Sequence, residues 1–273
     1  MQALLSVSFG TSHADTRAKT IDAIDAELAA AFPERAFYAA WTSPRIVAKV
    51  RRERDEHHDL LAEAFARLSA DGVDDLVVGT MCLLQGGEMR KIQDAARAWV
   101  AEGAQEGRAR TARVAAPLLS NTDDRQAVAR ALADAFAHIA SNEAVVLMGH
   151  GTPYGSNAVY DEIQSALDAL APGRFFVATV EGTPTLDDVI EPLRASGAAR
   201  VYLSPLMIVA GDHAKNDLAG DDPDSWASRL RALGFEPEPV LKGLGEYAGV
   251  RELACAHALA AQPVEDCEAP AGE

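Results

Sequence analysis

The sequence predicts an α/β fold: two similar Rossmann-like domains, each a parallel sheet flanked by helices, with a ligand cleft between them. Three observations carry that expectation. Short apolar runs alternate with longer amphipathic stretches along nearly the whole chain. The apolar runs are bounded by Gly, Pro and Asp, as suits strands buried on both faces. A weak internal repeat then aligns residues 4–11 with 145–152, and 76–88 with 201–213.

Taken in order, residues 3–9 read as a strand and 14–31 as a helix. A strand at 36–41 precedes helices at 44–54 and 57–70. The run 75–80 is a strand, 87–102 a helix, 112–116 a strand and 122–140 a helix. The second half repeats the theme, with strands at 144–148, 174–180, 200–204 and 238–241. Helices fall at 155–170, 185–196, 223–233 and 246–261. Such alternation implies βαβ crossovers and a parallel sheet with helices on both sides. The expected division is 1–141 and 142–262, with 263–273 left as an acidic, disordered tail. In such a fold, ligands sit outside the carboxyl ends of the strands.

Composition narrows the function. The 273 residues are 48% hydrophobic and 24% charged, with 25 Lys and Arg against 41 Asp and Glu, a net charge of −16. That balance disfavours nucleic acid and anionic lipid as partners. No run approaches the roughly 18 apolar residues of a membrane helix. No signal peptide is visible ahead of the first strand, so a cytoplasmic location is expected and a periplasmic-type binding protein is disfavoured. Three scattered cysteines offer neither a disulfide framework nor a metal knuckle. No GxSxG, P-loop or dinucleotide fingerprint occurs.

His150 stands between glycines immediately after an apolar strand, where the backbone turns sharply and the imidazole is uncrowded. A ring that merely bonds a loop carbonyl is the plainer alternative. His213 follows Ser204 by nine residues, as Glu88 follows Gly79 in the matching segment. By itself Glu88 would be a carboxylate favoured by a helix dipole; the repeat links it to His213. Two imidazoles and one carboxylate suit a borderline divalent metal with open positions. Asp212 is the expected supporting carboxylate among the acidic residues that follow, though such a run also serves as a solvated loop and helix cap. His13, in the loop paired with that of His150, either touches ligand or starts a helix. His57, His58, His138 and His257 read as surface residues of helices. Basic residues from Arg45 to Arg54, with Arg90 and Lys91, either receive substrate carboxylates or form a solvated helix face.

The segments Ser6-Val7-Ser8-Phe9-Gly10-Thr11-Ser12, Gly149-His150-Gly151, Val180-Glu181-Gly182-x-Pro184, Pro205 to Asp217 and Asp221 to Trp226 occur in order across nearly the whole chain. Together they resemble the anaerobic cobalt chelatases of cobalamin biosynthesis, the CbiK family, which implies a chelatase-type fold of two similar α/β domains around a cleft. The resemblance implies ATP-independent insertion of Co2+ into sirohydrochlorin or its precorrin-2 form, with no cofactor beyond the metal substrate. Fe2+ and Ni2+ are the other metals this chemistry admits. It implies metal binding by His150, His213 and Glu88, with His150 and Glu88 catalytic. Ser8, Phe9, Gly10, Thr11, His13, Gly86, Gly151 and Glu181 are the implied substrate-binding positions. Its partners would be sirohydrochlorin and a divalent ion, and a homo-oligomer is compatible with it. The rival readings are a sirohydrochlorin ferrochelatase and a non-catalytic metal or tetrapyrrole carrier.

Overall fold

Parallel pairing of the apolar runs organises the chain in the computed structural model, which describes residues 1–151 and 157–267. Two compact units result, one of Met1–Ser120 with the segment from Arg251, the other Asn121–Val250. The first holds β1 (Gln2–Ser8), α1 (Ala14–Lys19), α2 (Ile21–Ala31), β2 (Ala36–Trp41), α3 (Pro44–Arg54), α4 (Leu61–Ala70), β3 (Asp75–Thr80), α5 (Gly87–Gln105) and β4 (Thr111–Val114). The second holds α6 (Thr122–Ala135), β5 (Glu143–Gly149), α7 (Ala158–Leu170), β6 (Phe175–Thr179), α8 (Leu186–Ala195), β7 (Arg200–Pro205), α9 (Trp226–Ala232) and β8 (Glu236–Pro239). Most of α10 (Ala248–Leu259), followed by β9 (Gln262–Pro263), groups with the first unit.

Strand order runs β2-β1-β3-β4-β9 in one sheet and β6-β5-β7-β8 in the other. The shared four strands are parallel and wound in the same order, so the internal repeat is a repeat of topology. Burial explains the near-continuous apolar runs. Leu4 and Leu5 of β1 face opposite ways yet are both buried, as are Val145 and Val146 of β5. In the first unit one face packs on Phe65, Met89, Ile92 and Trp99. In the second, Val146, Met148 and Leu203 meet Leu193, Trp226 and Leu230. Each such side chain contributes about 1.5–3 kcal/mol by leaving water.

Several expectations are corrected. The division falls at Ser120 rather than residue 141, because α6 packs on α7 within the second unit. The expected tail is structured as far as Cys267. Gln262 and Pro263 pair antiparallel with β4, Val264 is fully buried in the first core, and Arg97 donates to the Cys267 carbonyl at 2.9 Å. A single apolar residue at the right place outweighs the acidic composition around it. Residues 268–273 of that expected tail, and the start of the helix expected from 155, lie outside the described residues. The helix expected over 14–31 breaks at Thr20, whose buried hydroxyl donates to the Thr16 carbonyl at 2.6 Å. That side-chain bond competes with the regular ladder. Residues 57–60 are not helical, since the Trp41 amide donates to Asp59 O at 2.8 Å and Trp41 bridges to Leu60. The last strand of the second sheet is Glu236–Pro239, displaced from 238–241, and its two prolines suit an edge position.

Candidate metal centre

β5 ends in Gly149-His150-Gly151, and both glycines are required by what surrounds them. A Cβ on Gly149 would lie 2.3 Å from a ring carbon of Tyr160. Tyr160 in turn accepts the Gly151 amide on its hydroxyl at 2.9 Å. Gly151 adopts φ +79°, and a Cβ there would stand 2.6 Å from the Gly182 amide nitrogen. The chain leaving β6 can therefore run against this loop. Val180 and Glu181 donate their amides to the carbonyls of Gly149 and His150 at 3.0 and 2.8 Å. The parallel pairing of β5 with β6 thus continues past the strand ends and delivers Glu181 beside His150.

His213 reaches the same place from β7. The loop after that strand is pinned where Leu244 and Gly245 donate to the carbonyls of Met207 and Ile208. A Cβ on Gly243 would lie 2.4 Å from the Ile208 oxygen, so only glycine admits this approach. A π-helical turn, His213–Leu218, then begins with the histidine itself. Turns of this kind recur at functional sites. The His150 and His213 rings meet edge to face, 5.0 Å between centroids. Glu181 Oε2 lies 3.9 Å from His150 Nδ1. One donor atom from each of His150, Glu181 and His213 lies within 4.8 Å of the other two. All three are partly open to solvent, with side chains 50%, 50% and 36% exposed. Donors sharing a first-row ion at about 2.1 Å stand about 3.4 Å apart in a tetrahedron, so small side-chain rotations would close this set on a metal.

Hydrogen bonds orient both rings. His213 Nδ1 is 2.6 Å from Asp217 Oδ2, and His150 Nδ1 is 3.0 Å from the Gly151 carbonyl oxygen. Sequence reasoning singled out Asp212 for the supporting role, and the carboxylate found on the ring is Asp217. The four-residue spacing on a helical turn was the available signal.

In the first unit, the loop after β1 matches that of His150. Phe9 occupies the place of the histidine and is 57% exposed. Gly10 has φ +86° beside the Trp41 ring, while Ser8 and Thr11 are buried. Thr11 Oγ1 accepts the His13 amide, and His13 starts α1. Lys49 and Arg54, from the basic α3, donate to the hydroxyl and carbonyl of Ser12. His58, expected on a helical surface, instead stacks on Trp41 at 3.6 Å with rings 9° from parallel. Burial holds its imidazole below the usual range, Arg17 adds to this, and Glu56 opposes it. Gly86 precedes α5, and Glu88 lies in that helix's first turn with Oε1 2.6 Å from Lys91 Nζ.

A second group, His57, Asp59 and Glu63, also places donor atoms close together. There Arg67 takes both Asp59 oxygens at 2.8 and 2.9 Å, and Glu63 accepts the Leu60 amide ahead of α4. Those bonds make it a helix cap and ion pair.

The cobalt chelatase (CbiK) profile matches residues 2–262. A sirohydrochlorin cobaltochelatase of Salmonella typhimurium is 37% identical over 261 residues, covering 94% of each chain. The sirohydrochlorin cobaltochelatase CbiKC of Nitratidesulfovibrio vulgaris is 39% identical over 154 residues, or 55% of this chain and 53% of that one. Among solved structures, SirB from Bacillus subtilis with Fe3+ superposes with a TM-score of 0.64 at 13% identity, over 94% of both chains. CbiX, described as the terminal enzyme of sirohaem biosynthesis in denitrifying bacteria, gives 0.54 at 16% identity, over 95% of this chain and 99% of that one. These structural likenesses bear on the fold, and the sequence matches decide the family: the chain belongs to the cobalt chelatase (CbiK) family.

Proposed function

We propose that the protein inserts Co2+ into sirohydrochlorin without ATP or a resident cofactor, the metal ion being a substrate. The convergence of His150, Glu181 and His213 at the strand ends of one sheet, in a CbiK-family chain, carries this reading. The names of the two relatives, both cobaltochelatases, favour cobalt over the ferrochelatase alternative. Three free cysteines suit a reducing cytoplasm.

Insertion exchanges one Co2+ for two pyrrole N–H protons, so the site must hold a cation loosely and accept protons. Two neutral imidazoles and Glu181 hold the ion with positions left for the macrocycle nitrogens. As the metal passes to the ring, His150 is freed and takes the two pyrrole protons in turn, a task that an imidazole ring nitrogen can perform. Glu88 carries protons outward, and its Oε2 is shielded from water without a hydrogen bond among the described residues. The loop Ser8 to His13, with Phe9 projecting, and Gly86 contact the macrocycle. Basic side chains and backbone amides receive its carboxylates.

Anaerobic mixing of protein, sirohydrochlorin and limiting Co2+, followed by tetrapyrrole absorbance, tests the reading, with Fe2+ and Ni2+ in parallel. Expected is conversion well above the spontaneous rate, lost in His150→Ala and His213→Ala. Tetrapyrrole that binds without faster insertion of any metal would replace the enzyme by a carrier.

A further inference from the structure

The two imidazoles of the centre are backed by different acceptors. Asp217 offers His213 an ionised carboxylate at 2.6 Å, and Gly151 offers His150 a neutral carbonyl at 3.0 Å. Neither acceptor can donate, so each Nδ1 carries the hydrogen and each Nε2 lone pair is left for a metal. The acceptors are not equal in effect. A carboxylate behind an imidazole fixes its tautomer and makes it a more basic ligand than a peptide carbonyl does.

The backbone holds Asp217 rigidly in place. His213 and Asp217 stand four residues apart on the π-helical turn, whose Ala214 and Leu218 are wholly buried. Gly220 closes the turn by donating to the Asn216 carbonyl at 3.0 Å, and a Cβ there would come within 2.4 Å of that oxygen. His150, by contrast, sits on the tight glycine loop with no carboxylate closer to Nδ1 than the 3.9 Å of Glu181 among the ion pairs of the described residues.

We infer that Asp217 is a positioning residue that makes His213 the anchoring ligand of the metal ion, while His150 is the ligand that lets it go. The second half rests on the chelatase reading; the first does not. A metal handed from protein to macrocycle must leave its protein ligands in some order. The ligand with the weaker backing departs first, and its freed Nε2 is the one placed to take up a pyrrole proton.

Two measurements without tetrapyrrole test the anchoring half. Long-range proton–nitrogen spectra of histidine-labelled protein, at a pH where both rings are neutral, should show His213 protonated at Nδ1. Asp217→Asn, whose amide can either accept or donate, should mix the tautomers, and Asp217→Glu should restore the single form. Titration with Co2+, read by its visible absorption, should show affinity falling about ten- to a hundred-fold in Asp217→Asn and in His213→Ala. His150→Ala should lose clearly less affinity while losing insertion. An unchanged His213 tautomer and unchanged Co2+ affinity in Asp217→Asn would overturn the role of Asp217. Equal losses of affinity in His150→Ala and His213→Ala would overturn the division of work. Wild-type protein that inserts no metal would remove the chelatase reading alone, since the tautomer and Co2+ results stand without it.

Discussion

In the proposed reading, Glu181 helps to hold the ion and Glu88 disposes of protons. Glu181 shares its site with both histidines, whereas Glu88 lies in the first unit against Lys91. Glu181→Gln is accordingly expected to weaken Co2+ binding about ten-fold or more, measured without tetrapyrrole. Glu88→Gln is expected to leave that binding nearly intact and to lower kcat instead, which stopped-flow insertion kinetics would read. A loss of Co2+ affinity in Glu88→Gln would return that residue to the ligand set. Another residue-scale outcome concerns Asp25 on α2. Burial pushes its carboxyl up to about 6, the Ser6 hydroxyl partly offsets this, and Asp22 adds to it. The folded-state pKa is raised above the unfolded one, so the native state binds the proton more tightly. This group's contribution to stability is therefore lost as pH rises from the ordinary carboxylate range through about 6. Asp25→Asn should raise stability by about 3 kcal/mol near pH 8 and change it little near pH 4, read from denaturant unfolding of both proteins.

At the scale of elements, the loops after β1 and β5 are built alike. Both turn on a glycine with positive φ, Gly10 and Gly151, and each packs against the chain leaving the neighbouring strand. Around Gly10 the support is aromatic: Trp41 lies against it and His58 lies on Trp41. A methyl group at Gly10 would stand 2.6 Å from two ring carbons of Trp41. Gly10→Ala is expected to cost roughly 2–4 kcal/mol from strain and overpacking, and to raise KM for sirohydrochlorin more than it lowers kcat. Thermal melts with paired kinetics would check both; a variant as stable as wild type would mean that the loop is not held as described.

For the whole molecule, the net charge of −16 opposes a substrate bearing many carboxylates and favours the metal cation. Long-range forces of this kind are screened over about 8 Å at physiological ionic strength. Added salt should therefore raise kcat/KM for sirohydrochlorin and raise KM for Co2+, opposite effects on two substrates of one enzyme. Steady-state kinetics across a salt series would show it, and parallel salt effects on both would assign recognition to local groups alone. The C-terminal segment also belongs to this scale. Removing residues from Gln262 onward deletes β9 and Val264 from the first unit. The expected result is a destabilisation of about 2–4 kcal/mol, seen as a lower denaturation midpoint.

Periodicity by itself determined the alternation of strands and helices and the repeat, because strands buried on both faces leave short uninterrupted apolar runs. Glycine spacing around His150 and the offset of His213 from its strand marked two loops whose histidine rings meet in the structure. Four outcomes were decided by the folded structure. Glu181 joins the histidines through pairing between β5 and β6, which brings together residues 31 apart in the chain. Asp217 backs His213 because a π-helical turn orients it, a geometry that differs from an ordinary helix by a single hydrogen-bond register. Val264 draws an acidic terminus into the core, and His58 finds the face of Trp41. Local composition records what a residue prefers on average, whereas these outcomes depend on which distant surface lies within reach.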